Sequence, residues 1–215
     1  MKLSVVVGSP NSRKVMAVAR HLQAPVELQY LDFFRGDLQS AAYRVLNPNA
    51  MVPTLADGDL VLWESNAINW YLAEGHPQAG LLPADRRGRA EVQRWLSWEL
   101  AHFNRALGVL SFEAVAKPAF MQQPGDPHLI AWAGRELQRF APVLDAAVKG
   151  REALVGPGVT IADYAMIHLE GFKDAVPFDW SPYPQLNAYV ERLRQLPHWV
   201  ATAPSSPQAV GRIPS

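Results

Sequence analysis

Pro53-Thr54-Leu55-Ala56-Asp57-Gly58-Asp59-Leu60-Val61-Leu62-Trp63-Glu64-Ser65-Asn66-Ala67-Ile68 decides how the first part of the chain must fold. Two short apolar runs, Pro53 to Ala56 and Leu60 to Trp63, flank Asp57-Gly58. A tight hairpin turn needs positive φ angles, which that dipeptide tolerates, so the stretch reads as two antiparallel strands. Ser65 then marks a helix start, since a serine hydroxyl there can cap free N–H groups. Ile68, Tyr71 and Leu72 follow at helical spacing and give that helix one apolar face.

Upstream, residues 2–7 are rich in valine and read as a buried strand. Ser9-Pro10 supplies an N-cap hydroxyl and a proline at the first helical position. Val15, Val18, Ala19 and Leu22 recur at helical spacing, and Pro25 ends the run. Val26, Leu28 and Tyr30 then alternate with polar neighbours, the period of a strand. Strand, helix and strand in so few residues imply a right-handed parallel crossover. Residues 33–51 carry several turn formers and read as irregular. The order β-α-β, β-β, α is that of a thioredoxin-like α/β domain, expected over residues 1–76.

Downstream, residues 77–85 are rich in proline and glycine and read as a linker. An all-α helical bundle is expected over 86–200. Its first helix runs to about 110 with Val92, Trp95, Leu96, Leu100, Phe103 and Leu107 in one stripe. Asp126-Pro127 opens a second helix that Pro142 should kink. Thr160-Ile161-Ala162-Asp163 has the form of a capping box with aspartate in the reciprocal position. Pro184 opens a last helix to about Leu196, and residues 201–215 form a loosely attached tail.

Composition narrows the function. Hydrophobic residues make up 49% of the 215, enough for packed cores and too many for a disordered chain. Twenty basic side chains balance twenty acidic ones, so no net field favours nucleic acid or an anionic membrane. The absence of cysteine removes disulfides, thiolate metal sites and a cysteine nucleophile together. The apolar run at the start breaks at Gly8-Ser9-Pro10 before reaching signal-peptide length. No window approaches about 18 uninterrupted apolar residues, so no membrane partner and a cytoplasmic location are expected.

Asn47-Pro48-Asn49-Ala50-Met51-Val52-Pro53, the Asp57-Gly58 turn, Glu64-Ser65 at a helix start, and the later Thr160-Ile161-Ala162-Asp163 stand in one order. Together they resemble the glutathione transferase family, over about residues 2–200. The resemblance implies a glutathione co-substrate, no metal, a small hydrophobic electrophile as second substrate, and a homodimer. It places glutathione against Gln39, Met51, Val52, Pro53, Glu64 and Ser65, with a cis Val52–Pro53 bond and the valine backbone paired to the cysteinyl unit. Ala50 and Met51 depart from the family pattern, where glycine and a lysine-like residue are frequent. Apart from the resemblance, a carboxylate and a hydroxyl beside free helix N–H groups suit an amino-acid end, with its anion on the N–H groups and its ammonium on the acid.

The remaining need is a thiolate. A free cysteine-type thiol has a pKa of roughly 8.5, and lowering it by two units takes about 2.7 kcal/mol. A hydrogen bond to an anion supplies about 1.5–3 kcal/mol, so one donor at the first helix start is enough and no general base is required. Ser9 is the first candidate for that donor, with Asn11 and Ser12 as competitors; Ser9 resembles the serine of theta- and bacterial nu-type transferases. Trp98, His102 and Phe103 are candidate walls for the electrophile by family analogy. Conjugation to an electrophile leads, ahead of glutathione-dependent disulfide or peroxide reduction and of a non-catalytic module with this fold.

Overall fold

The hairpin forms where Asp57-Gly58 predicts it, with Gly58 at φ 61 in the turn between β3 (Thr54–Asp57) and β4 (Leu60–Trp63). This computed structural model describes residues 1–168 and 170–204. Antiparallel pairing runs from Thr54↔Trp63 to Asp57↔Leu60. β1 (Lys2–Val5) lies beside β3, antiparallel, and beside β2 (Glu27–Tyr30), parallel, so the sheet order is β2-β1-β3-β4. The crossover from β1 to β2 is α1 (Pro10–His21), whose Val15, Ala17, Val18 and Ala19 are fully buried. Helix α3 (Ser65–Glu74) buries Ile68 and Leu72, packs along α1, and touches β3 and β4.

Two readings of this part are corrected. β1 ends at Val5, and Val7 is exposed. Residues 33–51 are not wholly irregular, for they contain a 3-10 turn (Asp37–Gln39) and a short helix, α2 (Ala41–Leu46). Ser40 starts α2 by accepting from the Tyr43 N–H at 3.2 Å. Six residues are too few to show a helical repeat, and the exposed Val45 and Leu46 hide it further.

The chain divides into two compact units, residues 1–84 with 195–204, and residues 85–194. The second is all helical: α4 (Arg86–Trp98), α5 (Asn104–Ser111), α6 (Lys117–Met121), α7 (Pro127–Ala147), α8 (Ile161–Ile167), α9 (Glu170–Lys173) and α10 (Pro184–Arg194). Helices α4 to α6 follow one another through two π turns, Glu99–Phe103 and Phe112–Ala116. A π turn inserts one residue into the helical repeat. That shift turns Leu100 out to solvent while Phe103 stays buried, which breaks the single stripe expected from the sequence. Pro142 lies inside α7, which Asp126 opens by accepting from the N–H groups of His128 and Leu129.

The last helix expected from the sequence is α10, and a further short helix follows it. α10 ends at Arg194, and α11 (Pro197–Val200) packs on α1 in the first unit. There the Arg13 guanidinium lies 3.9 Å from the centre of the buried Trp199 ring. Residues 205–215 of the expected tail lie outside the described residues. No described helix is long and apolar enough to cross a membrane.

Candidate active site

Ser9 takes an extended conformation, φ −69 and ψ 120, after Gly8 at φ 84 has turned the chain out of the sheet. Its Oγ accepts from the Ser12 N–H at 3.3 Å and so caps α1. Capping uses an acceptor lone pair, whereas a sulfur anion would use the hydroxyl hydrogen, so one side chain can do both. Ser12 is buried, and its Oγ accepts from the Val6 N–H at 3.3 Å, which ties the end of β1 to α1.

Ser65 does not cap α3 as the sequence suggested. Glu64 holds the N-cap position with φ 73 and ψ 111 and caps nothing with its side chain. Ser65 is the first helical residue, and its hydroxyl donates to Asn11 Oδ1 at 3.0 Å. A nearby acceptor on α1 thus outcompetes the local backbone. Fixing Asn11 Oδ1 on Ser65 leaves the Asn11 amide hydrogens as the donors of that side chain. A second link joins the same two helix starts, from Lys14 Nζ to Asn66 Oδ1 at 2.7 Å, fully buried at the lysine. The first turn of α3 therefore presents N–H groups without a side-chain cap beside an exposed carboxylate. Backbone N–H groups and the helix dipole make such an end attractive to an anion. A non-glycine residue at φ 73 is held against a backbone preference, a feature that clusters at functional sites.

The loop entering β3 is built on Asn47, which is almost fully buried. Its Nδ2 donates to the Met51 carbonyl at 2.9 Å and to Thr54 Oγ1 at 3.0 Å, while its Oδ1 accepts from the Asn49 N–H at 3.0 Å. Tyr43 donates its hydroxyl to the same Met51 carbonyl at 2.7 Å. Burial pushes the Tyr43 phenol up, so it remains a donor at any ordinary pH. The loop is thereby fixed with Ala50 at φ 53, Met51 exposed, and the Val52–Pro53 bond cis. Among the described residues, Val52 makes no backbone–backbone hydrogen bond.

Gln39 is exposed in the 3-10 turn and accepts from the Arg44 guanidinium. Trp98, His102 and Phe103 lie in the second unit as one aromatic group. Trp98 stacks on Phe103 at 5.8 Å between centroids, and His102 stacks on Phe140 at 4.7 Å. Three features escaped the sequence reading: the Asn47 clamp, the Lys14–Asn66 link, and the exposed pair Phe33 and Phe34. These two phenylalanines border an open cavity of about 520 Å³ with Val6, Val7, Tyr30 and Leu31. Asp32 pins their loop by accepting from the N–H groups of Phe34 and Arg35 at 2.8 and 3.1 Å. The pattern Asp32-Phe33-Phe34 in a stretch of turn formers was the available signal.

A four-stranded mixed sheet with a cis-proline loop and an open helix start, followed by an all-helical unit, defines the architecture of the glutathione S-transferases. Residues 8–74 match the model of the glutathione S-transferase N-terminal domain, and residues 110–197 that of the C-terminal domain. The chain belongs to the glutathione S-transferase family. A glutathione S-transferase of Hyoscyamus muticus is 30% identical over 205 residues, covering 93% of this chain and 95% of that one. The solved theta class glutathione S-transferase of Xanthomonas axonopodis pv. citri, with glutathione bound, is 31% identical with a TM-score of 0.81. That match covers 92% of this chain and 94% of the other. Ure2p in complex with glutathione shares the fold at 23% identity and a TM-score of 0.81, over 93% of this chain and 96% of that one.

Proposed function

We propose that this protein binds glutathione through its first unit, ionises the thiol, and transfers it to a small hydrophobic electrophile. The observation that carries the reading is the uncapped start of α3, bound to the start of α1 through Ser65 and Asn11. In this reading the N–H groups of that turn and the Ser65 hydroxyl take the γ-glutamyl carboxylate, and Glu64 takes its ammonium. Val52 pairs its backbone with the cysteinyl unit above Pro53; Met51 and Gln39 border the remainder, with Gln39 near the glycyl carboxylate. The thiol then lies at the start of α1, where Ser9 keeps a hydroxyl hydrogen and Asn11 keeps its amide hydrogens. Burial of Ser12 against β1 favours these two over it.

With a chlorinated aromatic, the sulfur anion forms the S–C bond as the C–Cl bond breaks, and chloride leaves with the electron pair. The thiol proton passes to solvent before attack. The cavity at Phe33 and Phe34, lined also by Asp32, Arg35 and Asp37, shares Val6, Val7 and Tyr30 with a smaller cavity lined by Ser9, and its aromatic side supports a hydrophobic partner for the thiol. Trp98, His102 and Phe103 remain proposed walls on the second unit. A homodimer, a cytoplasmic location, a detoxifying role and a theta- or nu-like subclass belong to the same reading. The domain bounds belong to it too: 1–76 for glutathione and 86–200 for the helical part.

Ser9→Ala and Asn11→Ala test it in parallel. If Ser9 donates to sulfur, its loss leaves glutathione affinity nearly unchanged and raises the pKa of the bound thiol. The rate at pH 7 then falls about tenfold to a hundredfold, the kinetic equivalent of about 1.4–2.7 kcal/mol, and partly recovers at alkaline pH. A thiolate absorbance titration unmoved by Ser9→Ala and shifted by Asn11→Ala assigns the role to Asn11. Turnover of a mixed disulfide without turnover of the chlorinated aromatic would replace conjugation by disulfide reduction.

A further inference from the structure

The loop between β2 and the 3-10 turn is closed on itself. Asp37 donates its N–H to the Asp32 carbonyl at 3.2 Å and accepts the Asp32 N–H on Oδ2 at 2.8 Å. Inside that neck, the Gly36 N–H donates to the Phe33 carbonyl at 3.3 Å, and Gly36 takes φ 78, a turn that glycine makes without strain. The tip carries Phe33 and Phe34, edge to face with centroids 5.6 Å apart and both exposed. Rings held on a braced loop are ordered before a ligand arrives, which lowers the entropy lost on binding. The cavity they border, about 520 Å³, falls within the range of small-molecule sites.

Its charges are unequal. Asp32, Arg35 and Asp37 all line it. The Asp32 carboxylate is satisfied, with the Phe34 and Arg35 N–H groups on Oδ1 and the Arg35 Nε 3.5 Å from Oδ2. Asp37 meets the neutral Asp32 N–H and, among the described residues, forms no salt bridge. Arg13, the cation of the adjoining smaller cavity, rests on the Trp199 ring and donates to the Trp199 carbonyl at 3.2 Å. We propose that this cavity selects aromatic electrophiles by charge: Asp37, left without a counter-ion, favours a ring with a positive substituent and disfavours a negative one. The two phenylalanine faces act in the same direction, since an aromatic quadrupole attracts a cation. Both effects operate beside water, so they weaken as salt is added. The inference names the second-substrate class for the conjugation reading above and rests on it.

Three benzyl chlorides test it, carrying a methyl, a trimethylammonium or a carboxylate group opposite the chloromethyl. In each, the glutathione sulfur anion forms the S–C bond as chloride leaves with the electron pair. Each kcat/KM is divided by the rate with free glutathione thiolate, which removes differences in intrinsic reactivity. The wild type should favour the cationic over the anionic compound by about tenfold at low ionic strength, and less at high. Asp37→Asn keeps an oxygen for the Asp32 N–H and should bring that ratio down towards one. Arg35→Gln frees the Asp32 charge and should raise it. A wild type that binds no glutathione, or conjugates none of the three, overturns the conjugation reading and this inference with it. Conjugation without charge preference overturns the inference alone, as does a preference that neither substitution nor salt moves.

Discussion

Two helix starts in this molecule carry the same physical problem and solve it oppositely. At α8, in the second unit, every nearby group is spent on closing the end. Thr160 Oγ1 accepts from the Ala162 N–H, and Asp163 Oδ2 accepts from the Thr160 N–H at 2.7 Å and from its hydroxyl at 2.9 Å. The other oxygen, Asp163 Oδ1, takes the Leu154 N–H at 2.9 Å and the Tyr189 hydroxyl at 2.7 Å. At α3, in the first unit, Glu64 caps nothing and Ser65 gives its hydroxyl to another helix. A free helix N–H group needs some partner. The saturated end joins Leu154, α8 and Tyr189 of α10 into one core, while the open end has no side-chain cap and is the one proposed to take a ligand. Stability and binding should therefore separate between the two.

The largest expected effect breaks the closed end. Asp163→Ala would leave buried donors on Leu154, Thr160 and Tyr189 unpaired, each worth about 1–3 kcal/mol, so a loss of about 3–5 kcal/mol is expected. Glutathione affinity of the protein that remains folded should not change. A denaturation midpoint within error of the wild type would show that this aspartate does not organise the core. Burial pushes the Asp163 carboxyl up, against those hydrogen bonds, so the charge there is held by its donors.

Breaking the open end should do the reverse. Glu64→Ala and Ser65→Ala are each expected to weaken glutathione by one to two orders of magnitude, since a hydrogen bond to a charged group contributes about 1.5–3 kcal/mol. The denaturation midpoint should move little in Glu64→Ala, whose side chain caps nothing, and fall by only about 0.5–1.5 kcal/mol in Ser65→Ala, which loses the bond to Asn11. Wild-type calorimetry in both variants would make the open end a structural accident. A smaller change sharpens the same contrast. Ala50 is held at φ 53, where a β-carbon costs about 1–2 kcal/mol that glycine avoids. Glycine also brings a more flexible unfolded chain, so Ala50→Gly should stabilise by no more than about 1 kcal/mol. An unchanged or lowered midpoint would show that the Asn47 clamp, rather than residue 50, fixes that loop.

The closed end was legible in the sequence and the open end only in part. Thr160 and Asp163 are three residues apart on one helix, so local spacing reveals their bond. The hairpin was legible for the same reason, being local and marked by Asp57-Gly58. Ser65 and Asn11 are 54 positions apart, and Lys14 and Asn66 are 52 apart, so only the packing of α1 on α3 could show those links. The π turns were hidden too, for a helix of one composition gives no sign of where its repeat will slip. Residues Val52 and Pro53 stood out because proline restricts the chain, whereas the clamp that orients them comes from Asn47 and Tyr43, which look ordinary in sequence.

The smallest expected effect concerns α1 itself, the helix against which the open end is fixed. His21, at its last turn, stacks on His198 of α11 with ring centroids 4.6 Å apart. Burial holds the His21 imidazole below its ordinary value, with the second histidine adding to it. His198 is lowered as well, first by burial and then by the nearby Arg20. Both rings therefore resist protonation in the folded protein more than in the unfolded chain. As pH falls through about 6.5, the unfolded chain takes up protons that the folded one refuses. Stability is then full above that pH, declines below it, and the contribution of the pair is lost once the folded rings themselves protonate. Both rings keep substantial contact with water, so the drop in Tm between pH 7 and pH 5 should be small. His198→Phe retains a stacked ring without a titrating nitrogen and should flatten that slope, leaving glutathione affinity at pH 7 unchanged. A slope equally steep in His198→Phe would place the acid sensitivity elsewhere, in carboxylates rather than in the contact between α11 and α1.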